Sequence, residues 1–181
     1  RYDNTGVFNK VGNIGQRLYP NKTDKTDVCS VGVGDLASTV RLCRFTARRS
    51  SSGHRLLSLD AQEVVKERLL PLSTLVTPNI PEMEALTAKS LTTAEEKLSA
   101  AKYLLSLGAQ AVLLKGGHEE GDTKCDTLYE LDGSNITQLH LSTPTVSTKN
   151  IHGTGCSLSS AIAAFMARGL ALRDAVQEAK N

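Results

Sequence analysis

The sequence predicts an α/β fold with a mostly parallel sheet covered by helices on both faces, and three observations carry that expectation. Helical and strand-like patterns alternate from Leu57 onward, the run "QAVLLKGG" is apolar without polar alternation, and the helical segments around it each present one apolar face. An apolar stretch with no alternation suits a strand buried on both sides, as inside a parallel sheet. At 181 residues the chain is long enough for one core, so a single domain is the default.

The first fifty residues are the least legible. Residues 1–50 carry nine Lys or Arg against four Asp or Glu, net +5, whereas residues 51–181 carry twelve against fifteen, net −3. The basic excess is scattered among Asn, Thr, Ser and Gly without interleaved aromatic residues, which argues against nucleic-acid binding. Within this segment "VCSVGVG" reads as a strand and "LASTVRLC" as a short helix. Residues 1–50 are therefore expected to be an aberrant or poorly ordered segment, and residues 51–181 the folded domain.

From Leu57 the elements follow in order. "SLDAQEVVKERLLP" is an amphipathic helix stopped by Pro71, and "STLVTPN" a short β-branched strand ending in a turn. Thr92 and Glu95 have capping-box spacing ahead of "KLSAAKYLLSLG", where Leu98, Ala101 and Leu105 share a face and Gly108 ends the helix. "QAVLLKGG" is the buried strand. "DTLYELDG" and "ITQLHLSTP" predict an exposed hairpin turning near Asp132 and Gly133, an antiparallel edge on the sheet. "CSLSSAIAAFMARG", with Leu158, Ala161, Ile162 and Phe165 on one face, and "LRDAVQEAKN" predict the last two helices.

No apolar run approaches bilayer length and no secretory signal pattern opens the chain, so a soluble protein of the cytoplasm is expected, or of an organelle matrix if a transit sequence was removed. Cys29, Cys43, Cys125 and Cys156 form no CxxC pair and have no histidine at zinc-finger spacing. The first three are expected to be small buried hydrophobes.

The fourth cysteine lies in the stretch that carries chemistry, "NIHGTGCSLSSAIAA". Gly153, Thr154 and Gly155 open an apolar helix, where unpaired N–H groups and a positive dipole end attract anions. The same tripeptide also suits an ordinary tight turn before a core helix. Cys156 adds weight to the first reading, since a thiol at a helix N-terminus has a depressed pKa and as thiolate can accept a proton. Phosphoryl transfer asks little more of its base than positioning the attacking hydroxyl.

Two further stretches supply what such a transfer requires. In "TPNIPE", Asn79 and Glu82 place oxygen-bearing side chains at a spacing able to hold Mg²⁺ directly or through water, although a turn and helix start select the same residues. In "LLKGGH", Lys115, Gly116 and Gly117 end a strand, where ligands of open α/β sheets bind. Neither the Walker nor the dinucleotide glycine fingerprint occurs.

In order, "LLPLSTLVTPNIPEMEALT", "AVLLKGGH" and "STKNIHGTGCSLSSAIAA" closely resemble the hydroxymethylpyrimidine/phosphomethylpyrimidine kinases of thiamine biosynthesis, of the ribokinase-like superfamily. The resemblance runs from about Ser52 to Asn181. It implies a ribokinase-like three-layer sandwich, incomplete at the N-terminus, with ATP across the strand ends and Mg²⁺ as cofactor. It makes Gly153, Thr154 and Gly155 the anion hole and Cys156 the base. Asn79 and Glu82 fall on the family's magnesium and phosphate motif, and Lys115, Gly116 and Gly117 on its nucleotide loop. His152 matches the family's Thr-His-Gly-Thr-Gly-Cys run with Ile151 in place of threonine, and His118 is expected to pack near the nucleotide loop.

The resemblance implies a small-molecule acceptor, hydroxymethylpyrimidine or its phosphate, with no nucleic acid or membrane partner. It leaves open a homodimer, a fusion to a thiamine-phosphate synthase, and two alternative readings: a pyridoxal kinase, or an inactive nucleotide-binding fragment. The family's opening Gly-x-Asp-x-x-Gly-Gly-Ala-Gly loop and its Asp-Pro-Val-Met run are absent, and residues 44–49 read "RFTARR". Together with the opening on Arg1 and the stop at Asn181 inside a helical pattern, this suggests a fragment, a frame-shifted product or a mis-joined gene.

Overall fold

The structure, a computed structural model, describes residues 29–33, 40–44, 59–116, 122–145 and 154–181. Its elements run β1 (Cys29–Val33), β2 (Val40–Arg44), α1 (Leu59–Val64), β3 (Leu75–Val76), α2 (Ile80–Thr87), α3 (Ala94–Ser106), β4 (Ala111–Leu114), β5 (Thr123–Asp132), β6 (Asn135–Pro144), α4 (Thr154–Ala167) and α5 (Leu172–Lys180). The six strands form one sheet in sequence order. Parallel pairing is confined to its centre, β2 with β3 and β3 with β4, while β1 runs antiparallel to β2 and β5 and β6 continue antiparallel beyond β4.

Alternation along the central strands sends side chains to opposite faces and builds two cores. Val76, Val112, Leu114 and Tyr129 join Val65, Leu69 and Leu70 after α1, Met83 and Leu86 of α2, and Ala100, Ala101, Leu104 and Leu105 of α3. Leu75, Ala111, Leu113 and Leu128 join Ile162 and Ala163 of α4 and Ala175 and Val176 of α5 on the other side. All four residues of β4 are buried, as a strand covered on both faces requires. The result is the expected α/β sandwich, helix layer on sheet on helix layer, but the sheet is mixed rather than mostly parallel, because the hairpin and β1 pair antiparallel.

The first helix is irregular at its end. α1 continues as a π turn over Val65–Leu69 and a 3-10 turn over Leu70–Leu72, the latter holding the expected stop at Pro71. Gly108, after α3, takes φ +103°, and a Cβ there would meet the Pro71 Cα at 2.8 Å. Backbone strain and a collision with main chain coincide, so Gly108→Ala is expected to cost about 1–3 kcal/mol. Chemical denaturation of the variant, with its midpoint lowered at unchanged slope, checks this.

Several expectations are corrected. "LASTVRLC" was expected as a helix, yet Val40–Arg44 is a strand: pairing with β1 and β3 outweighs the weak local helical pattern. The strand expected over "STLVTPN" is only Leu75–Val76, although Asn79 and Lys115 extend the pairing as an isolated parallel bridge. The capping box of α3 uses Thr93 and Glu96, one residue beyond the expected pair. Glu96 accepts from the Thr93 N–H, the Thr92 hydroxyl and the Thr92 N–H, and these hold its carboxyl at about 2. That convergence of donors on one carboxylate fixes the helix start where simple spacing could not.

The hairpin turns where expected, through Gly133 at φ 61° between the paired residues Asp132 and Asn135. It is less exposed than expected, because β5 lies inside the sheet with Leu128 and Tyr129 buried, and only β6 forms the edge. Cys125 on β5 is half-buried rather than buried, its Sγ 3.8 Å from the Asp126 carbonyl oxygen. No helix among the described residues is long and apolar enough to cross a membrane.

Candidate functional site

The parallel centre of the sheet aims two strand ends at one place. β3 runs out through Thr77 and Pro78 to Asn79, and β4 through Leu114 to Lys115. The Lys115 N–H donates to the Pro78 carbonyl at 2.9 Å, so the two segments stay in register past the last ladder residues. Carboxyl ends of adjacent parallel strands are where α/β sheets take ligands.

Asn79 is the N-cap of α2 and Glu82 its third residue. The Glu82 N–H donates to Asn79 Oδ1 at 2.8 Å, and the Asn79 N–H donates to Glu82 Oε2 at 2.8 Å. This reciprocal box satisfies donors that a helix start would otherwise leave unpaired, and Pro81 occupies a first-turn position where its missing N–H costs nothing. The box alone accounts for the residue types at 79 and 82. It does not account for the burial of the Glu82 carboxylate, which is 4% exposed and has the Lys115 ammonium 3.9 Å from Oε2. The helix N-terminus and the ammonium both place positive charge beside that carboxylate.

The second half of the site is the start of α4. Thr154, Gly155 and Cys156 are its first three residues, so the helix begins where the Gly-Thr-Gly reading put it and Cys156 lies in the first turn. Gly153, Gly117, His118 and His152 lie outside the described residues. α4 packs across β1 and β2 on the face opposite α1, α2 and α3.

A buried hydroxyl pair ties the two halves together. Thr77 Oγ1 lies 3.0 Å from Ser159 Oγ, Thr77 being fully buried and Ser159 nearly so. Thr77 is two residues before the cap Asn79 and Ser159 three after Cys156, so one hydrogen bond joins the end of β3 to the first turns of α4. Sequence reading missed this pair, because its partners are 82 positions apart. It also missed Asp126 on β5, whose Oδ1 accepts the Gly116 N–H at 2.9 Å.

A magnesium nucleotide needs oxygen donors for the cation and cationic or N–H donors for the phosphates. Among the described residues no cluster of three His, Cys, Asp or Glu side chains could hold a metal alone. Mg²⁺ usually keeps several waters and takes one or two carboxylates plus phosphate oxygens, and the Glu82 carboxylate beside the Asn79 amide fits that role. The helix start at Thr154 and the Lys115 ammonium fit phosphate. The residues present therefore suit both groups.

Comparison with known proteins adds the following. The profile of the phosphomethylpyrimidine kinase family matches residues 47–181. The hydroxymethylpyrimidine/phosphomethylpyrimidine kinase of Escherichia coli (strain K12) is 42% identical over 171 residues, which cover 88% of this chain and 63% of that protein. The thiamine biosynthesis bifunctional protein ThiED of Geobacter sulfurreducens is 44% identical over 132 residues, 73% of this chain and 26% of that protein. An ADP complex of Bacillus subtilis pyridoxal kinase superposes with a TM-score of 0.62 at 32% identity, over 68% of this chain and 47% of that one. The chain thus spans only part of each of these proteins.

Proposed function

The chain belongs to the phosphomethylpyrimidine kinase family, and from that membership we propose that it carries the nucleotide and phosphoryl-transfer part of a kinase that phosphorylates hydroxymethylpyrimidine and then its monophosphate. One observation carries the reading: the buried Thr77–Ser159 hydrogen bond joins the end of β3, which leads to Asn79 and Glu82 and is bridged to Lys115 beyond β4, to the helix that starts at Thr154. That bond supports reading the two elements, one suited to cation and one to phosphate, as a single site. ADP in the pyridoxal kinase complex supports the same nucleotide class here.

In this reading ATP supplies the transferable phosphoryl group and Mg²⁺ screens its charge. The N–H groups of Gly153, Thr154 and Gly155 stabilise negative charge that develops on the moving phosphoryl oxygens. Cys156, in the first turn of α4, is held as thiolate by the helix N-terminus and takes the proton of the acceptor hydroxyl. Lys115 would offset phosphate charge, and Glu82 with Asn79 would hold the cation. Gly116 and Gly117 let the nucleotide lie against main chain. Residues 51–181 form this nucleotide and anion-hole half. A cytoplasmic setting and a fusion to a thiamine-phosphate synthase accompany the reading, the latter supported by the bifunctional relative.

Pyridoxal is the second acceptor to weigh, because a pyridoxal kinase shares the architecture. Competition separates the two. With both alcohols present at equal concentration, phosphorylated hydroxymethylpyrimidine is the expected main product by mass spectrometry. Pyridoxal phosphate as the main product would reverse the assignment.

A further inference from the structure

Among the described residues, Asp126 is the buried charged group that the kinase reading leaves unused. It lies on β5 and is 8% exposed. Its Oδ1 accepts the Gly116 N–H at 2.9 Å, and its Oδ2 accepts from Lys180 Nζ, also at 2.9 Å. Lys180 ends α5 and donates a second hydrogen bond to the Leu141 carbonyl on β6 at 3.0 Å. Both side chains are largely shielded from water, at 9% exposed for Lys180 and 11% for Asp126.

Stability alone is a poor reason for such a pair, since apolar residues of similar volume often do as well in its place. The α5 to hairpin contact, moreover, already has another polar latch: Arg173 donates to Glu130 and to Thr137, each at 2.6 Å. What distinguishes Asp126 is its other partner. Gly116 directly follows Lys115, at the point where the chain leaves β4, and it has no side chain through which neighbours could fix its position. A charge-assisted hydrogen bond to its amide supplies that restraint.

We propose that Asp126 is a positioning residue for nucleotide binding, holding the Gly116 amide so that the Lys115-Gly116 run meets the nucleotide in one orientation, while Lys180 keeps the carboxylate aimed. The inference rests on the kinase reading of that run. Asp126 acts through the backbone of Gly116 and touches no reacting atom.

The test is ATP–Mg²⁺ titration calorimetry on the full chain, with amide hydrogen exchange at Gly116 as a second readout. Asp126→Ala is expected to raise the Kd for ATP about tenfold and to speed exchange at Gly116. Lys180→Met is expected to raise Kd in the same direction. Arg173→Met removes the neighbouring latch and serves as the control, with Kd unchanged even if the melting temperature falls. Should Asp126→Ala not fold, Asp126→Asn is measured in its place, with a Kd about threefold above that of the parent chain.

A Kd in the Asp126 variants no higher than in Arg173→Met overturns the positioning role and leaves the kinase reading intact. A folded parent chain that binds no ATP overturns the kinase reading, and the positioning role with it.

Discussion

Cys156→Ala is expected to lower the rate of phosphoryl transfer by about 10²–10⁴-fold while leaving ATP affinity within about twofold of the parent chain. The substitution removes the proposed proton acceptor, whereas the main-chain amides at the start of α4 remain. Alanine is also a good helix former, so the first turn keeps its geometry. Pre-steady-state turnover combined with nucleotide titration separates the two effects. Near-normal turnover would remove Cys156 from the chemistry and return it to the small apolar residues of an ordinary helix start. Loss of turnover together with loss of ATP binding would make it a binding residue instead.

Glu82 is expected to show the next largest effect, and two substitutions divide its two jobs. Glu82→Gln retains an oxygen able to accept the Asn79 N–H at 2.8 Å, and glutamine is the other residue that capping boxes use. Folding stability should therefore change little, while loss of the charge facing the cation lowers turnover about 10–100-fold and raises the Mg²⁺ concentration needed for half-maximal rate. Glu82→Ala loses the cap as well and should be about 1 kcal/mol less stable than Glu82→Gln. An unchanged magnesium requirement in Glu82→Gln would leave the capping box as the whole explanation of the residue.

How much of this was legible in the sequence differs by element for physical reasons. The four apolar residues of β4 announce a strand buried on both faces, the Asn79–Glu82 spacing announces the helix cap found there, and Cys156 falls in the first turn of α4. β2 was misread because Val40–Arg44 owes its strand state to neighbours on both sides, which short-range periodicity cannot register. The cap at Thr93 was displaced by one residue because Glu96 gathers several donors, two of them from Thr92, and a spacing rule counts only one pair.

The tertiary contacts of the site were not legible at all. Thr77 and Ser159 read as unremarkable polar residues until the fold places their hydroxyls 3.0 Å apart. Asp126 read as part of a hairpin start, since nothing local shows that its carboxylate reaches back ten residues to the Gly116 amide. Motifs record which atoms can do chemistry, and packing between distant segments decides how firmly they are held.

The central claim is phosphoryl transfer by this chain, and its most direct test is mass-spectrometric detection of phosphorylated hydroxymethylpyrimidine. The purified, folded protein is incubated with ATP, Mg²⁺ and hydroxymethylpyrimidine. Product is expected from the parent chain, with about 10²–10⁴-fold slower formation by Cys156→Ala. A folded parent chain that binds ATP and forms no product would contradict it, and the chain would then be a nucleotide-binding fragment without a working acceptor site.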